Sequence, residues 1–391
     1  MKRLIYADTN SYGVFHRGFN GSSLAMFAAI YEEIVYVATP SSANIIRHDM
    51  GGVFPDNISY RKIWINAPNS KFGKILHHFL QSLNSIAIVL FANKNDVVYF
   101  NYCPLLALLF INFIAKVTRK KVIITWHNEL STLLDDNPFK YNLLSTFILK
   151  KIQFNRYKWA QSILFCFPGK HIKENAIKLI LGDSCKQKII SFEHTWLFSK
   201  TISINVGKEK QQKNIAKNIH IGFVGTAREE RWLNDIINFR KKISAKITIT
   251  VIGRVFCKPD VLVNNNIQFI PGSEKDFISD NMMKKRLHEM SFIVFLYPQN
   301  SYKLTASGSI FDAIDAEKYI LGLHNDCFDS LFDSRVHVGK LFNSIEDIIL
   351  FVNNTDITII PSLDYHYIKH RLSPSYEANT FKDELNKIDF I

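Results

Sequence analysis

The chain has 391 residues, 47% of them hydrophobic, which is more than one ordinary core accommodates, so its length favours two domains. Its five cysteines are scattered singly without a C-x-x-C pair, a pattern that fits a reducing cytoplasm and argues against a disulfide framework or a cysteine-based zinc site. The net charge of +13 suits an anionic partner, which leaves nucleic acid, an anionic membrane surface and a phosphorylated ligand as candidates.

The N-terminal stretch MKRLIYADTN enters a strand pattern at once and reaches a polar turn by Asp8, so it lacks the apolar core of a secretory signal. We therefore expect a cytoplasmic protein. The longest apolar runs, SIAIVLFAN (85–93) and PLLALLFINFIA (104–115), are shorter than the roughly 20 residues of a membrane-spanning helix. We expect both runs to be buried elements of a globular domain.

Short apolar strands alternate with helical stretches along the first half of the chain, beginning with a strand and the apolar helix SSLAMFAAIYEE (22–33). This alternation predicts βαβ units and a parallel sheet. The strand patterns are RLIYAD (3–8), EIVYVAT (33–39), DVVYFNYCP (96–104), KKVIITWHNE (120–129), SILFCFP (162–168) and KIISFEH (188–194).

A basic segment runs from Phe139 to Lys173 and contains seven Lys or Arg and no acidic residue, interleaved with aromatic and aliphatic side chains. Such a segment is typical of an amphipathic element on an anionic membrane leaflet. It is equally typical of a core helix with a solvated basic face. The sequence leaves both interpretations open.

Residues 199–218 are polar and Lys-rich with no apolar period, which indicates a linker between domains. After it the alternation resumes, so we predict an α/β protein with two Rossmann-like parallel-sheet lobes, 1–198 and 219–373. The strand patterns of the second lobe are IHIGFVGTARE (219–229), KITITVIGRV (246–255), IQFIPG (267–272), SFIVFLYP (291–298), KYILGLH (318–324) and VHVGKLF (336–342).

Three loops of the second lobe share features of anion-binding sites. Each follows a strand or opens a helix, and ligands of parallel sheets bind beyond the carboxyl ends of strands. Glycine permits close approach of backbone to ligand, helix N-termini attract anions, and Arg binds phosphate oxygens. We therefore predict a pyrophosphate cradle. Its residues are Gly225, Arg228 and Arg231 in the first loop, Gly253, Arg254 and Lys258 in the second, and Ser307, Gly308 and Ser309 in the third.

Asp312 lies one turn into the helix that follows Ser309. A carboxylate there repels phosphates unless it points toward neutral hydroxyls, such as those of a ribose. The alternative is an Asp favoured in the first helical turn by the helix dipole alone. Both readings stay open from the residue pattern.

In the first lobe, His127 and Glu129 follow a strand that should be central, and Asp8 ends the first strand. These positions favour a general base or a sugar-binding residue, with a satisfied core histidine as the alternative. The chain has no G-x-G-x-x-G, P-loop, D-x-D, H-E-x-x-H or G-x-S-x-G motif. Dinucleotide binding, P-loop chemistry, zinc hydrolysis and serine acyl transfer are therefore disfavoured.

Taken in order, TWHNE, the linker, IGFVGTAREER, ITVIGR, IQFIPG, IVFLYP and ASGSIFDAIDAEKYILG resemble the GT-B glycosyltransferases of the large bacterial group that builds surface polysaccharides. The most specific part is DAIDAEKYIL (312–321), which is similar to the family's EA-x-A-x-G-K-P-V-I helix with Asp312 in place of Glu. The resemblance implies a sugar nucleotide in the C-terminal lobe and an acceptor on the N-terminal lobe. It also implies transfer across the cleft between the lobes, with no obligatory metal or other cofactor.

Residue by residue, the resemblance assigns Asp312 to the ribose and the Ser307 to Ser309 turn to the pyrophosphate. Arg231 stands where the family has a phosphate-binding Lys, and His127 matches the histidine near the transferred sugar. Where the family has an Arg, this chain has Thr226, with Arg228 two residues later.

One departure concerns the mechanism. Retaining members commonly carry a second Glu eight residues before the ribose-binding one, and here that position is Leu304. Retention and inversion therefore both stay open, and His127, Glu129 and Asp8 are the candidate bases for an inverting reaction. The C-terminal segment, residues 374–391, resembles the family's closing helix that crosses back to the first lobe, and it is also an ordinary amphipathic helix.

The resulting hypothesis is a hexosyltransferase-type, metal-independent glycosyltransferase of capsule or O-antigen synthesis. It moves a sugar from a nucleotide diphosphate to a saccharide or lipid-linked saccharide acceptor, and it is peripheral on the inner face of the cell membrane. The alternative is a non-catalytic GT-B-like nucleotide-binding or partner subunit. Nucleic acid is not an expected partner, because no nucleic-acid module is recognisable.

Overall fold

The structure is a computed structural model that describes residues 3–11, 13, 16–65, 70–127, 129–134, 159–183, 188–199, 219–227, 232–271, 278–332, 335–355 and 363–390. The chain forms two compact units. Unit 1 comprises Met1–Leu197, Lys303–Ala306 and Arg371–Ile391, and unit 2 comprises Phe198–Tyr302 and Ser307–His370. Of the predicted linker only Ser199 is described, and it belongs to unit 2.

Unit 1 is built on a seven-stranded parallel sheet of order β3-β2-β1-β4-β5-β6-β7. Its central strands are apolar throughout and buried on both faces, as parallel strands covered by helices must be. The strands are β1 (Leu4–Ala7), β2 (Ile34–Ala38), β3 (Ile58–Lys62), β4 (Val97–Phe100), β5 (Lys121–Thr125), β6 (Ile163–Pro168) and β7 (Ile189–Phe192).

Helices cover the two faces of this sheet with separate cores. One core includes side chains of α3, α4 and α5, and the other includes side chains of α1, α2 and α13. A 3-10 turn (Glu129–Leu133) follows β5, and a π-helical turn (Ile177–Leu181) ends α5. The helices are α1 (Arg17–Ala28), α2 (Pro40–Asp49), α3 (Lys71–Phe91), α4 (Leu105–Thr118), α5 (Lys170–Ala176) and α13 (Pro374–Lys387).

The C-terminal helix α13 packs on unit 1, where Phe381 meets Phe27 and Phe192. Its glutamic acid side chains also bind the last strand of the sheet, since a carboxyl oxygen of Glu377 accepts the backbone N–H of Glu193 (2.9 Å). Glu384 accepts the backbone N–H of Ser191 (3.0 Å) and pairs with Lys173. Strand β7 is the last strand of the sheet, so these bonds satisfy amides that no neighbouring strand reaches.

Two sequence expectations need correction in unit 1. The apolar runs 85–93 and 104–115 are not wholly buried, because α3 and α4 each leave one apolar side exposed, including Leu90, Phe91 and Phe110. Strand β3 was also missed, because its sequence ISYRK is short and half polar, as suits an edge strand.

Unit 2 is built on a six-stranded parallel sheet of order β10-β9-β8-β11-β12-β13. Its strands are β8 (His220–Ala227), β9 (Thr248–Val255), β10 (Gln268–Pro271), β11 (Phe292–Phe295), β12 (Tyr319–Leu323) and β13 (Gly339–Phe342). Its helices are α6 (Leu233–Lys242), α7 (Pro259–Val263), α8 (Asp280–His288), α9 (Gly308–Asp315), α10 (Asp326–Leu331), α11 (Ile345–Asn354) and α12 (Tyr365–Arg371). The predicted α/β class and the parallel sheets are confirmed.

Candidate functional site

In unit 2 the chain order reverses at β8, which has β9 on one side and β11 on the other. Crossovers run in opposite directions from such a switch point, and a crevice opens at the carboxyl ends of the two strands. The end of β8, the end of β9 and the start of α9 carry Gly225, Gly253 and Ser309. The fold therefore brings these three predicted loops together at the carboxyl ends of the strands of one sheet.

The two strand ends approach each other so closely that only glycine fits. Gly225 and Gly253 are paired in register and have φ values of +120° and +143°. A Cβ atom on Gly253 would lie 1.9 Å from the carbonyl oxygen of Gly225, and one on Gly225 would lie 2.8 Å from the Oγ of Ser309. The first turn of α9 thus packs directly on the strand ends.

The N-terminus of α9 is open toward this corner. Ser307 is the N-cap residue, but its side chain makes no capping bond, because the hydroxyl is bonded to the hydroxyl of Tyr297 (2.9 Å). Gly308 is exposed, and a Cβ atom there would have nothing within 4 Å. Helix N-terminal amides without a side-chain cap and with free space in front of them are suited to bind an anion.

The other predicted donor residues lie around this helix or outside the described part of the chain. Asp312 is half-buried in α9, four residues after Gly308. Thr226 and Arg254 are register partners one position beyond the glycines, and the Arg254 guanidinium lies 5.7 Å from the Phe256 ring centroid. Lys258 is exposed at the start of α7, whereas Arg228 and Arg231 lie outside the described residues.

Sequence reasoning missed an aromatic stack beside this helix. The ring of Tyr297 is stacked on Trp232 at 4.8 Å and on Tyr302 at 4.3 Å. Trp232 and Tyr302 both have positive φ, so the backbone is constrained where it presents these rings. The three residues are distant in sequence, and the only local signal is the aromatic Tyr297 directly after an apolar strand.

The corresponding edge of the unit 1 sheet contains Asp8, which is fully buried at the end of β1. Burial raises the pKa of this carboxyl, and the hydrogen bonds it accepts oppose that rise. The arrangement describes a carboxylate that holds several segments together. Five donors point at it: the backbone N–H of Ser11, the side-chain amides of Asn20 and Asn101, and the hydroxyls of Tyr36 and Ser42, all at 3.0 to 3.2 Å.

His127 follows β5 at the same edge and is half-buried. Its Nε2 lies 2.7 Å from the carbonyl oxygen of Asn101, which can only accept, so Nε2 carries the proton. Nδ1 has no hydrogen-bond partner among the described residues. Burial lowers the pKa of His127, so the ring is neutral near pH 7. Glu129 is buried, and its carboxylate accepts the backbone N–H of His127 (2.8 Å).

Two further histidines surround the same place and were missed from the sequence. The His127 ring meets the edge of Phe19 at 4.6 Å and is stacked with His16 at 5.4 Å. His194, which follows β7, lies 5.2 Å from the Phe19 ring, and burial lowers the pKa of His194 to about 4. No local motif marks these residues, because Phe19 joins segments that are distant in sequence.

Leu304, which the resemblance places where retaining members carry a second acid, is 3% exposed and belongs to the apolar core of unit 1. Lys303 next to it is fixed through its carbonyl, which accepts the side-chain amide of Asn175 (3.1 Å). An apolar core position disfavours a charged group. The Leu at this site is therefore accounted for by packing.

Solved structures similar to this chain span nearly its whole length. They include HepE from Anabaena in complex with UDP-glucose, with a TM-score of 0.60, 13% identity and coverage of 99% of this chain and 98% of that one. The chain has the GT-B fold. WaaG, a glycosyltransferase involved in lipopolysaccharide biosynthesis, matches with a TM-score of 0.56, 11% identity and 99% of both chains. A glycosyltransferase from Rickettsia africae matches with a TM-score of 0.54, 13% identity, 99% of this chain and 97% of that one.

No family model and no curated protein sequence matches the chain. The predicted fold class and the resemblance to GT-B proteins are confirmed by the structural matches, which at these identities speak for the fold. The assignment of individual site residues stays a prediction.

The predicted membrane segment, 139–173, lies mostly outside the described residues. Its described part begins at Trp159 and contains β6 (Ile163–Pro168), which is buried along its length. A buried strand has no face to offer to a lipid surface. Strand β6 itself is therefore not a membrane contact, and the rest of the predicted segment stays a prediction.

Proposed function

We propose that this protein is a hexosyltransferase-type glycosyltransferase that uses a nucleotide diphosphate sugar as donor. The observation that carries the proposal is the open N-terminus of α9, with exposed Gly308 beside the glycine corner of Gly225 and Gly253. Helix N-terminal amides with free space in front of them are suited to bind a diphosphate, and these amides lie at the switch point of a GT-B sheet. HepE, a protein of the same fold, has been solved with UDP-glucose.

In this proposal the amides of Ser307, Gly308 and Ser309 hold the diphosphate, and Asp312 binds the ribose hydroxyls. Positive charge near the departing diphosphate stabilises the transition state, and fixed amides and cations supply it without an obligatory metal ion. The cations are those of Arg228, Arg231, Arg254 and Lys258, with Thr226 as an additional polar contact.

The unit 1 edge is the proposed acceptor-binding surface, and His127 is its proposed catalytic residue. The Nε2–H of the neutral imidazole is hydrogen-bonded to the carbonyl oxygen of Asn101. Nδ1 is then the ring nitrogen that can accept a proton from a hydroxyl of the sugar acceptor. Glu129 would position His127 through its backbone. Asp8, enclosed by five donors, would organise the loops of this edge rather than meet the acceptor.

We further propose that the acceptor is a saccharide or lipid-linked saccharide of surface polysaccharide synthesis, such as capsule or O-antigen, and that the protein works peripherally on the inner face of the membrane. The similarity to WaaG, which is involved in lipopolysaccharide biosynthesis, supports this class of pathway.

The second candidate function is a non-catalytic GT-B-like nucleotide-binding or partner subunit. Leu304 favours it, because a buried apolar side chain stands where retaining relatives carry an acid. An inverting reaction needs no acid there, so the two candidates differ in turnover rather than in donor binding.

Donor binding and turnover are tested separately. Nucleoside diphosphates and their sugar conjugates at millimolar concentration should raise the melting temperature of the purified chain by several degrees. Incubation with the bound donor and a saccharide acceptor, with and without EDTA, should release nucleoside diphosphate at equal rates as the sugar passes to the acceptor hydroxyl or to water. Binding without release would support the non-catalytic subunit, and no shift with any nucleotide would remove the donor site.

A further inference from the structure

Helices α3 and α4 of unit 1 expose many large apolar side chains to solvent. Phe72 and Phe91 of α3 are 75% and 78% exposed, and Phe113 of α4 is 66% exposed. The full set, which we name the α3–α4 face, is Phe72, Ile75, Leu76, Phe79, Leu83, Leu90 and Phe91 of α3 with Leu106, Leu109, Phe110, Phe113 and Val117 of α4.

The spacing of these residues defines one side of each helix. On α4 they occupy positions 106, 109, 110, 113 and 117, which fall on one side of a helix, while Ala107, Leu108 and Ile111 are fully buried in the apolar core. The two helices are neighbours, since the ammonium of Lys120, just after α4, donates to the carbonyls of Val89 and Leu90 at the end of α3. The two apolar stripes therefore lie side by side.

The stretch of sequence that contains both helices is almost entirely basic in its charged residues. Residues 57–128, which contain both helices, include nine Lys or Arg and one acidic residue, Asp96. Asp96 is buried and paired with Arg3 at 2.9 Å, so it adds no negative charge to the surface. The carbonyl oxygen of Trp64 accepts the side-chain amide of Asn84 in α3 (3.1 Å), and the exposed Trp64 ring lies 3.8 Å from the ammonium of Lys62. The basic residues are Arg61, Lys62, Lys71, Lys74, Lys94, Lys116, Arg119, Lys120 and Lys121.

We propose that the α3–α4 face docks on an anionic membrane surface. Exposed aromatic and aliphatic side chains enter the boundary between headgroups and acyl chains, and Lys and Arg at the rim contact anionic lipid phosphates. Trp64 with its neighbouring Lys62 is the kind of amphipathic side chain that settles at such a boundary. No described helix is long and apolar enough to span a bilayer.

A second copy of the chain fits this face less well. A two-fold dimer places the same patch against itself, so the basic rims of both copies would face each other without acidic partners. The chain's own segment 139–158 has the same difficulty, because its only charged residues are basic. An anionic lipid surface satisfies both the apolar stripes and the charge.

This inference deepens the peripheral association within the proposed function, but its test needs no nucleotide. The full chain is floated with vesicles of phosphatidylcholine alone and of phosphatidylcholine with 30 mol% phosphatidylglycerol. We expect binding to the anionic vesicles only. The variant Phe110→Ser with Phe113→Ser should weaken that binding at least tenfold, because it removes two inserted rings. Lys94→Gln with Lys116→Gln should weaken it roughly 30-fold.

Matched controls lie in unit 2. Leu350→Ser removes an apolar side chain that is 59% exposed in α11, and Lys241→Gln with Lys285→Gln removes two exposed charges. Both controls should bind vesicles like the parent chain. Because every substituted position is exposed, unchanged circular dichroism and melting temperature verify folding.

Three results would overturn the proposal. They are an absence of binding to anionic vesicles, equal binding by the parent chain and the α3–α4 variants, or a dimer in light scattering that Phe110→Ser with Phe113→Ser converts to a monomer while vesicles are not bound. Donor binding is measured in the same preparations by nucleotide-induced melting shifts. A failure of vesicle docking is thereby distinguished from a failure of the donor site.

Discussion

Replacing Asp8 by Asn should destabilise unit 1 moderately, and the geometry gives the size of the effect. If the new amide nitrogen takes the place of Oδ1, it faces the N–H groups of Ser11 and Asn101, which cannot turn away. If it takes the place of Oδ2, it faces two hydroxyls, which can rotate to accept, and only the amide of Asn20. The second orientation leaves one buried donor unsatisfied, at a cost of about 1–3 kcal/mol.

Replacing Asp8 by Ala should cost more, because the three N–H donors of Ser11, Asn20 and Asn101 then lose their acceptor in a buried site. At about 1–3 kcal/mol for each of the three unsatisfied donors, the loss is about 3–9 kcal/mol. Urea unfolding of the parent chain, Asp8→Asn and Asp8→Ala measures both values, with exposed Asp56→Asn as the control. A catalytic base would behave differently: Asp8→Asn would unfold like Asp56→Asn while turnover falls by orders of magnitude, and this outcome would refute the structural role.

Three further predictions concern single side chains. Gly253→Ala should destabilise unit 2 by about 3 kcal/mol in urea unfolding and should weaken donor binding, because the new Cβ atom would clash with the carbonyl oxygen of Gly225. An unchanged midpoint of urea unfolding would refute the close approach of Gly225 and Gly253. Burial raises the pKa of Glu377 from 4.5 to about 8, so the folded chain holds this proton more tightly than the unfolded chain. The free energy of unfolding should therefore fall as pH rises from 4.5 through 8, by at most about 5 kcal/mol. Glu377→Gln keeps an acceptor for the Glu193 amide and should remove most of this loss between pH 5 and 9, whereas parallel pH curves would contradict it. Asp312→Asn should weaken binding of a nucleoside diphosphate more than binding of inorganic pyrophosphate in calorimetry, and an equal effect on both would remove Asp312 from the ribose.

Much of the fold could be predicted because its strands are apolar runs bounded by polar turns. The ends of β8 and β9 were selected as candidate ligand loops from Gly225 and Gly253 together with the Arg and Lys residues near them. The structure gives the physical reason for the two glycines, because their φ values and their mutual approach exclude a side chain. In the same way, His127 and Asp8 were chosen as candidate catalytic residues because they follow strands.

The remainder depends on tertiary contacts that local sequence does not encode. Because nearly all residues of α4 are apolar, its sequence predicts burial on every side of the helix. Only the packed structure distinguishes the buried Leu108 from the exposed Phe113. His16 and His194 come together around Phe19 without any shared motif. The enclosure of Asp8 likewise arises from donors on separate segments, so the sequence could place the carboxylate but not its role.

The most direct test of the donor site is a calorimetric titration of nucleoside diphosphates into the parent chain, Gly308→Val and Ala245→Val. Gly308 has open space in front of it, so a Val side chain there should leave the fold intact and occupy the place of the diphosphate. Ala245 is exposed just before β9, at the amino end of the strands and away from the proposed donor site, and serves as the matched control. The proposed function predicts at least tenfold weaker binding for Gly308→Val, with an unchanged melting temperature, and parental affinity for Ala245→Val. Equal affinity of all three proteins, or no binding by the parent chain, would contradict it.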